Sequence, residues 1–241
     1  MLILKIGGAV ITDKSVGAVN KARMDEIERI AKIIAENLSD GLILVHGVGS
    51  FGHPHVIKYR LLERKDVNGV TVAHLSCVSL NVIVCGFLHK FGLNPVPYHP
   101  MSTFKVVNGK LVFDADTIKK FVEEGLIPVL HGDMVYNVTE RKFEVLSGDR
   151  IAVELAKVLK PDALGFATDV EGVIVDGKVL KEFTRDFIEK IESVRSKTDV
   201  TGGMLGKVKA IIDAGVRASI FHARHLDRFL KGEEVGTLVR G

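Results

Sequence analysis

The stretch His46-Gly47-Val48-Gly49-Ser50-Phe51-Gly52-His53 follows directly on an apolar run, Leu42-Ile43-Leu44-Val45. An apolar run opening into three glycines and a serine predicts a buried strand that ends in a tight turn. Glycine lets the backbone approach an anion closely, and successive N–H groups in such a turn form an anion-binding concavity.

Upstream of that strand, Met24, Ile27, Ile30, Ala31, Ile34 and Leu38 repeat at helical spacing. Before that helix, Leu2-Ile3-Leu4-Lys5-Ile6 reads as a core strand ended by Gly7-Gly8. Strand, glycine turn, helix, strand and glycine turn make βαβ logic, which implies a parallel sheet with a right-handed crossover. Lys5 stands out, because a lysine in a core strand is costly unless its ammonium has a partner. The glycine pair directly after it favours a phosphate over simple snorkelling to solvent.

Downstream the alternation continues. Pro54 disfavours a regular helix through the turn region, and 58–65 reads as irregular or short helix. Residues 70–91 are a long, nearly uncharged apolar stretch, expected as a helix largely covered by other elements. Residues 94–98 hold two prolines and suit a short edge strand, and 106–113, around Asn108-Gly109, suit a type I′ hairpin. A helix over 114–124 ends at Gly125, and a core strand over 126–130 leads into His131-Gly132-Asp133. Ser147-Gly148-Asp149 precedes an amphipathic helix over 151–159. A strand over 163–167, a hairpin around Asp176-Gly177, a helix from Thr201 to 214 and a strand over 216–221 come next. A short helix and an edge strand within 234–239 close the chain, with no linker, repeat or low-complexity segment. The expectation is one α/β domain over 1–241.

Composition narrows the class. Hydrophobic residues make up 46% of the chain, enough for a large core without staples. Lys and Arg number 33 against 30 Asp and Glu, a net charge of +3 with no dense basic run, so no nucleic-acid partner is expected. Cys77 and Cys85 fall about two turns apart on one predicted helix, too far for a bond within it. Buried thiols in a reducing cytoplasm are the expectation. The N-terminus lacks a signal pattern and no uninterrupted apolar run approaches the roughly 20 residues of a membrane span, so no membrane association is expected.

Gly47, Gly49 and Gly52 match the dinucleotide fingerprint G-x-G-x-x-G, but the context is wrong. The motif comes after the second strand, Pro54 breaks the helix that the fingerprint requires, and no acidic residue ends an evident next strand. The Walker pattern fails as well, because Val208 stands after Lys207 where a hydroxyl is required. The informative feature is the set: glycines cluster at Gly7-Gly8, at Gly47, Gly49 and Gly52, at Gly148 and at Gly202-Gly203, with Lys5, Lys14 and Lys207 nearby. In an open α/β sheet, loops at the carboxyl ends of strands converge on one crevice. Lysines, N–H groups and Mg²⁺ at such a crevice suffice for phosphoryl transfer without a nucleophilic residue.

These motifs resemble the amino acid kinase superfamily, and within it the isopentenyl phosphate kinases. Lys5-Ile6-Gly7-Gly8-Ala9-Val10-Ile11-Thr12-Asp13-Lys14 is similar to that family's K-x-G-G-S-x-I-T-x-K opening, and 46–53 to its H-G-[GA]-G-S-F-G-H loop. Ser147-Gly148-Asp149, Thr168-Asp169-Val170-Glu171-Gly172-Val173 and the block over 199–207 match the remaining motifs in order. The resemblance implies an open three-layer αβα sandwich with a central, mostly parallel sheet. It implies an acceptor-binding half over about 1–160 and a nucleotide-binding half over about 161–241. It implies ATP and Mg²⁺, isopentenyl phosphate as acceptor, isopentenyl diphosphate as product, and a cytoplasmic homodimer.

Carried over by position, Lys5 with Gly7, Gly8 and Ala9 holds the transferring phosphoryl group and the β-phosphate. Lys14 stabilises transition-state charge, Lys207 contacts the ATP phosphates, and Asp149 orients the lysines. Gly47, Gly52 and Gly148 face the acceptor; Asp169, Gly203 and the Val48 backbone belong to the nucleotide. No protein ligand for a metal is implied. His53 is the residue where chemistry and resemblance meet, since an imidazole beside a phosphate dianion is favoured as imidazolium and orients its oxygens. His46, at a strand end, fits a buried structural histidine equally well. Leu75, Val78, Val82 and Ile83 are candidates for an apolar wall around the acceptor's tail, and Ala73, Ser76 and Ser79 for its length limit.

The sequence departs from the family twice: Ala9 stands for a serine, and Val48 for a glycine or alanine. Two alternatives stay open at this point. One is a kinase of another small phosphomonoester or a phosphonate such as fosfomycin; the other is a nucleotide-binding regulatory protein with weak activity.

Overall fold

The computed structural model describes residues 1–175, 177–188 and 202–241. Asp176 and residues 199–201, part of the hairpin and of the last motif, lie outside them.

The N-terminal βαβ unit forms as the sequence predicts. Strand β1 (Leu2–Ile6) leads through a single helical turn, α1 (Gly8–Ile11), to helix α2 (Met24–Asn37) and strand β2 (Leu42–His46). Next come α3 (His53–Lys58), α4 (Val67–Lys90), β3 (Pro95–Pro97), α5 (Pro100–Thr103), β4 (Phe104–Val107) and β5 (Lys110–Phe113). They are succeeded by α6 (Ala115–Glu123), β6 (Ile127–His131), β7 (Asp133–Asn137), β8 (Lys142–Leu146), α7 (Gly148–Leu159) and β9 (Ala163–Thr168). The remainder comprises β10 (Ile174–Val175), β11 (Lys178–Val179), β12 (Glu182–Phe183), α8 (Gly202–Asp213), β13 (Arg217–His222), α9 (Leu226–Leu230) and β14 (Thr237–Arg240).

Eight strands make the central sheet, in the order β12-β14-β13-β9-β1-β2-β6-β3. From β13 to β3 every pairing is parallel, and only β14 runs antiparallel to its neighbour β13. Both faces are covered, so the inner strands are apolar throughout rather than alternating. Ile3, Ile43 and Val45 point into a core shared with Ile151 and Leu155 of α7 and with Val208 and Ile211 of α8. Leu4, Ile6, Leu42 and Leu44 point the other way, against Ile27, Ile30 and Ile34 of α2 and Leu80 and Val84 of α4. This is the expected αβα sandwich.

Local signals account for several boundaries. Asp66, Asp114 and Ser147 cap α4, α6 and α7 by accepting from Gly69 N, Thr117 N and Arg150 N. Asn108 and Gly109 both have positive φ, 49° and 75°, as the type I′ turn between β4 and β5 demands.

The structure corrects the sequence-based expectation in three places. Pro54 lies in the first turn of α3, where its missing N–H costs nothing, so a regular short helix does succeed the glycine turn. β14 is not an edge strand; it is flanked by β13 and by the two-residue β12. The hairpin β7–β8, which joins β4 and β5 in a separate four-stranded sheet, is not foreseen from the sequence.

Helix α4 is, among the described residues, the one helix long and apolar enough to cross a membrane by length and composition alone. It packs along the sheet, with Leu80, Asn81 and Leu88 fully or almost fully buried. A stripe along its far side, Leu75, Ser79, Val82, Gly86 and His89, is exposed. Cys77 and Cys85 lie in this helix as buried free thiols, as expected.

Candidate functional site

The turns after β1 and β2 meet at the carboxyl edge of the sheet. A Cβ built on Gly47 would lie 2.4 Å from Gly8 N, and one on Gly8 would lie 2.5 Å from Gly49 N. Only glycine allows the two backbones this close, and Gly49 also has φ +44°. Thr12 stitches the pair: its hydroxyl donates to Gly8 O at 2.7 Å and accepts from Ser50 N at 3.2 Å. Gly8 and Ala9 open α1, as Gly148 and Asp149 open α7, and first-turn N–H groups have no intrahelical acceptor. Several such donors therefore gather at one place.

Val48, the family departure in this loop, has a packing explanation. Its Cγ2 lies 2.3 Å from where a Cβ on Gly52 would stand and 3.6 Å from the same position on Gly132. The branched side chain fills the space that these two glycines leave empty.

The turns wall a cavity of about 550 Å³, within the usual range for a small-molecule site. Its polar end carries Lys5, Gly8, Ala9, Lys14, Gly47, Val48, Gly52, His53, Gly148 and Asp149. His53 opens α3 and is exposed. The wall also carries Val56, Ala73, Cys77, Met134, Val145 and Leu146, of which Val56, Ala73 and Met134 pack in one small apolar cluster.

Beneath the polar end, one carboxylate holds two lysines. Lys207 Nζ donates to Asp149 Oδ2 at 2.6 Å, and Lys5 Nζ lies 2.6 Å from Asp149 Oδ1. The second contact is an ion pair without hydrogen-bond alignment, so Oδ1 has no hydrogen-bond donor. Burial pushes the Asp149 carboxyl up, but Lys5 and Lys207 outweigh it and hold the group down at about 2. Burial, with the charge of Lys5, depresses Lys207 to about 8 against the pull of Asp149. Its ammonium also sits 5.0 Å above the Phe166 ring, a cation–π contact. Among the described residues, two ammonium groups on one carboxylate leave a positive charge uncompensated next to the N–H-rich turns. An anion completes this arrangement.

Lys14 is paired with Asp169, in the loop directly after β9; both are more exposed than the buried triad. Burial raises the Asp169 carboxyl and the hydrogen bond from Lys14 more than offsets it, leaving it lowered. Among the expected residues, Gly7, Asp169, Gly203 and Lys207 stand outside the cavity wall. Gly7 continues the sheet by donating to Ala167 O at 2.8 Å, and Gly203 is exposed in the first turn of α8.

His46 resolves as a structural residue. It is fully buried, its Nδ1–H donates to Gly47 O at 3.0 Å, and its Nε2 accepts from Asn81 at 3.1 Å. Burial holds it down at about 4, so it stays neutral.

The expected apolar wall is misplaced. None of Leu75, Val78, Val82 and Ile83 lines the cavity. Leu75 and Val82 face outward, and Ile83 packs against the core between α2, α4 and the sheet. A helix that is apolar all round does not reveal from its sequence which face turns inward. Of the small residues named with them, Ala73 lines the cavity, whereas Ser76 donates to Asn20 Oδ1 at 2.5 Å and Ser79 to Ser76 O at 2.7 Å. Asp133, Met134 and Val145 were missed because they sit on the unforeseen β7–β8 hairpin.

Among the described residues, no group of three or more His, Cys, Asp or Glu is arranged to hold a metal ion. Each carboxylate at the cavity has a basic partner: Asp13 has Lys21, Asp133 has His74, and Asp149 has its two lysines.

A parallel αβα sheet whose carboxyl edge carries N–H-rich turns and an excess of lysine defines a phosphate-binding α/β protein. The family model for the amino acid kinase family matches residues 1–220. An isopentenyl phosphate kinase of Methanocaldococcus jannaschii is 35% identical over 98% of this chain and 97% of its own length. One of Methanothermobacter thermautotrophicus is 34% identical over 100% of this chain and 99% of its own. A crystal structure of isopentenyl phosphate kinase superposes with a TM-score of 0.83 at 31% identity, covering 98% of both chains. The chain belongs to the amino acid kinase family, and within it to the isopentenyl phosphate kinases.

Proposed function

We propose that this protein transfers the γ-phosphoryl group of ATP to isopentenyl phosphate, releasing ADP and isopentenyl diphosphate for isoprenoid synthesis. The observation that carries this reading is the mixed lining of the cavity. Lysines, histidine and backbone N–H groups share the wall with the apolar side chains of Val56, Ala73, Cys77, Met134 and Val145. A phosphomonoester with a short branched hydrocarbon tail matches both kinds of surface.

In this reading residues 1–160 supply the acceptor site and 161–241 the nucleotide site. His53 donates to non-reacting oxygens of the acceptor phosphate and turns the attacking oxygen toward ATP. Gly47, Gly52 and Gly148 contact the same phosphate through their backbone. Lys5, with Gly7, Gly8 and Ala9, receives the transferring group. Lys14 leaves Asp169 to meet charge as it develops, and Lys207 holds the ATP phosphates. Asp149 keeps Lys5 and Lys207 in position. Asp169, Gly203 and the Val48 backbone complete the nucleotide site. No side chain forms a covalent intermediate, since positioning and charge neutralisation are enough.

Ala9 and Val48 leave backbone donors intact, so neither departure removes a phosphate contact made through an N–H group. Because every cavity carboxylate is already paired, the described residues offer Mg²⁺ no unpaired carboxylate, and the ion enters as the companion of the nucleotide. The exposed apolar stripe on α4, with small residues Ser79 and Gly86 in it, favours a homodimer packed helix against helix. Free buried thiols fit a cytoplasmic location.

A coupled assay of ADP release with isopentenyl phosphate, dimethylallyl phosphate and fosfomycin tests the reading. Turnover of isopentenyl phosphate is expected. Turnover of fosfomycin alone makes the protein a phosphonate kinase, and tight ATP binding without any turnover makes it a regulatory protein.

A further inference from the structure

The acceptor end of the cavity rests on a polar junction that the proposed chemistry does not use. Asp133, at the start of β7, has a fully buried carboxylate at the cavity wall. His74 of α4 places Nδ1 3.0 Å from both Oδ1 and Oδ2. Met134 N donates to Oδ1 at 2.8 Å, and Met101 N, in α5, to Oδ2 at 3.2 Å. One carboxylate thus joins three elements. A second link runs beside it: His131 donates Nδ1–H to Gly132 O at 2.8 Å and accepts at Nε2 from His99 Nδ1–H at 3.0 Å. His74 and His99 meet edge to face, with centroids 6.3 Å apart.

The apolar packing behind this end is thin. Leu61, Val70, Ala73 and Met134 form a small cluster of their own, with Val56, Tyr59, Met101 and Phe143 at its margin. Val56, Ala73 and Met134 belong both to it and to the cavity wall. Ala73 precedes His74, and Met134 comes directly after Asp133. The His74–Asp133 pair therefore fixes the distance between the two walls at the point where few apolar contacts do so.

We infer that His74 and Asp133 are positioning residues that set the depth of the tail pocket, and with it the discrimination between acceptors of different chain length. The inference rests on the proposed phosphorylation of isopentenyl phosphate. His74 does not line the cavity; it acts through α4, which carries Ala73 and Cys77 into the wall. Its ion pair holds α4 against β7, so loss of the pair lets the walls part and a longer hydrocarbon enter.

The test compares kcat/KM for isopentenyl phosphate with that for a prenyl monophosphate one isoprene unit longer. In His74→Leu the ratio should fall by about tenfold, a loss of the size expected when a wall shifts by a fraction of a bond length, while the KM for ATP stays unchanged. His74→Asn, whose amide N–H stands near the Nδ1 position, should restore the ratio. If His74→Leu does not fold, His74→Ala, which admits water to the carboxylate, carries the same expectation. A variant that loses activity equally with both acceptors, ratio unmoved, overturns the inference. Failure of the unaltered protein to use isopentenyl phosphate overturns the proposed function as well, so the two failures are told apart.

Discussion

Asp149 and Lys207 form a buried ion pair, Oδ2 to Nζ at 2.6 Å, and the same carboxylate holds Lys5. The arrangement is over-charged in the cationic sense before any ligand arrives. It ties α7, α8 and β1 together beneath the glycine turns, so in the proposed function its charge state bears on nucleotide binding.

Lys207 titrates at about 8, well below an ordinary lysine, so it is charged at neutral pH and loses its proton as pH rises through 8. ATP binding to the free enzyme should weaken over that interval. Calorimetric titration from pH 7 to 9 measures this. Lys207→Arg, which keeps its charge throughout, should flatten the profile.

His53 and Lys207 are assigned to different substrates. His53→Ala should raise the KM for isopentenyl phosphate by about tenfold or more and leave that for ATP nearly unchanged, the loss expected of a hydrogen bond to a charged group. Lys207→Ala should do the reverse. Steady-state kinetics with each substrate varied in turn separates them, and equal effects on both would break the assignment.

The glycines of the chain are not equivalent. Gly47→Ala forces a methyl to 2.4 Å from Gly8 N and should lower both stability, by about 1–3 kcal/mol, and activity. Gly206→Ala meets nothing within 4 Å in the interior of α8 and should stabilise by about 0.5–1 kcal/mol. Thermal denaturation of the two variants should give shifts of opposite sign, and shifts of the same sign would contradict the close approach of the turns.

Leu75 and Val82 are 59% and 56% exposed on the outer face of α4. The double variant Leu75→Glu, Val82→Glu should convert a dimer into a monomer by light scattering, with the fold retained by circular dichroism. A monomeric unaltered protein would remove the proposed interface.

Much of this was legible in the chain. The inner strands announced themselves as short apolar runs, and the glycine turns by their spacing, because a parallel sheet buried on both faces leaves an unmistakable pattern. The pairing of Lys5 and Lys207 with Asp149 was implied only by resemblance, since contacts across more than fifty residues leave no local signal. Hairpin β7–β8 was missed because its turn, at Arg141 with φ 55°, carries neither glycine nor proline. That omission hid Asp133, Met134 and Val145. The inward face of α4 was hidden by the opposite circumstance, too many apolar residues rather than too few.

The central claim is that the cavity joins a phosphate to a phosphate. Phosphorus NMR of the protein with ATP and isopentenyl phosphate tests it directly. The account predicts that the monophosphate signal is replaced by the two coupled signals of a diphosphate ester as ADP appears in equal amount. Release of ADP and inorganic phosphate with isopentenyl phosphate unconsumed would contradict it.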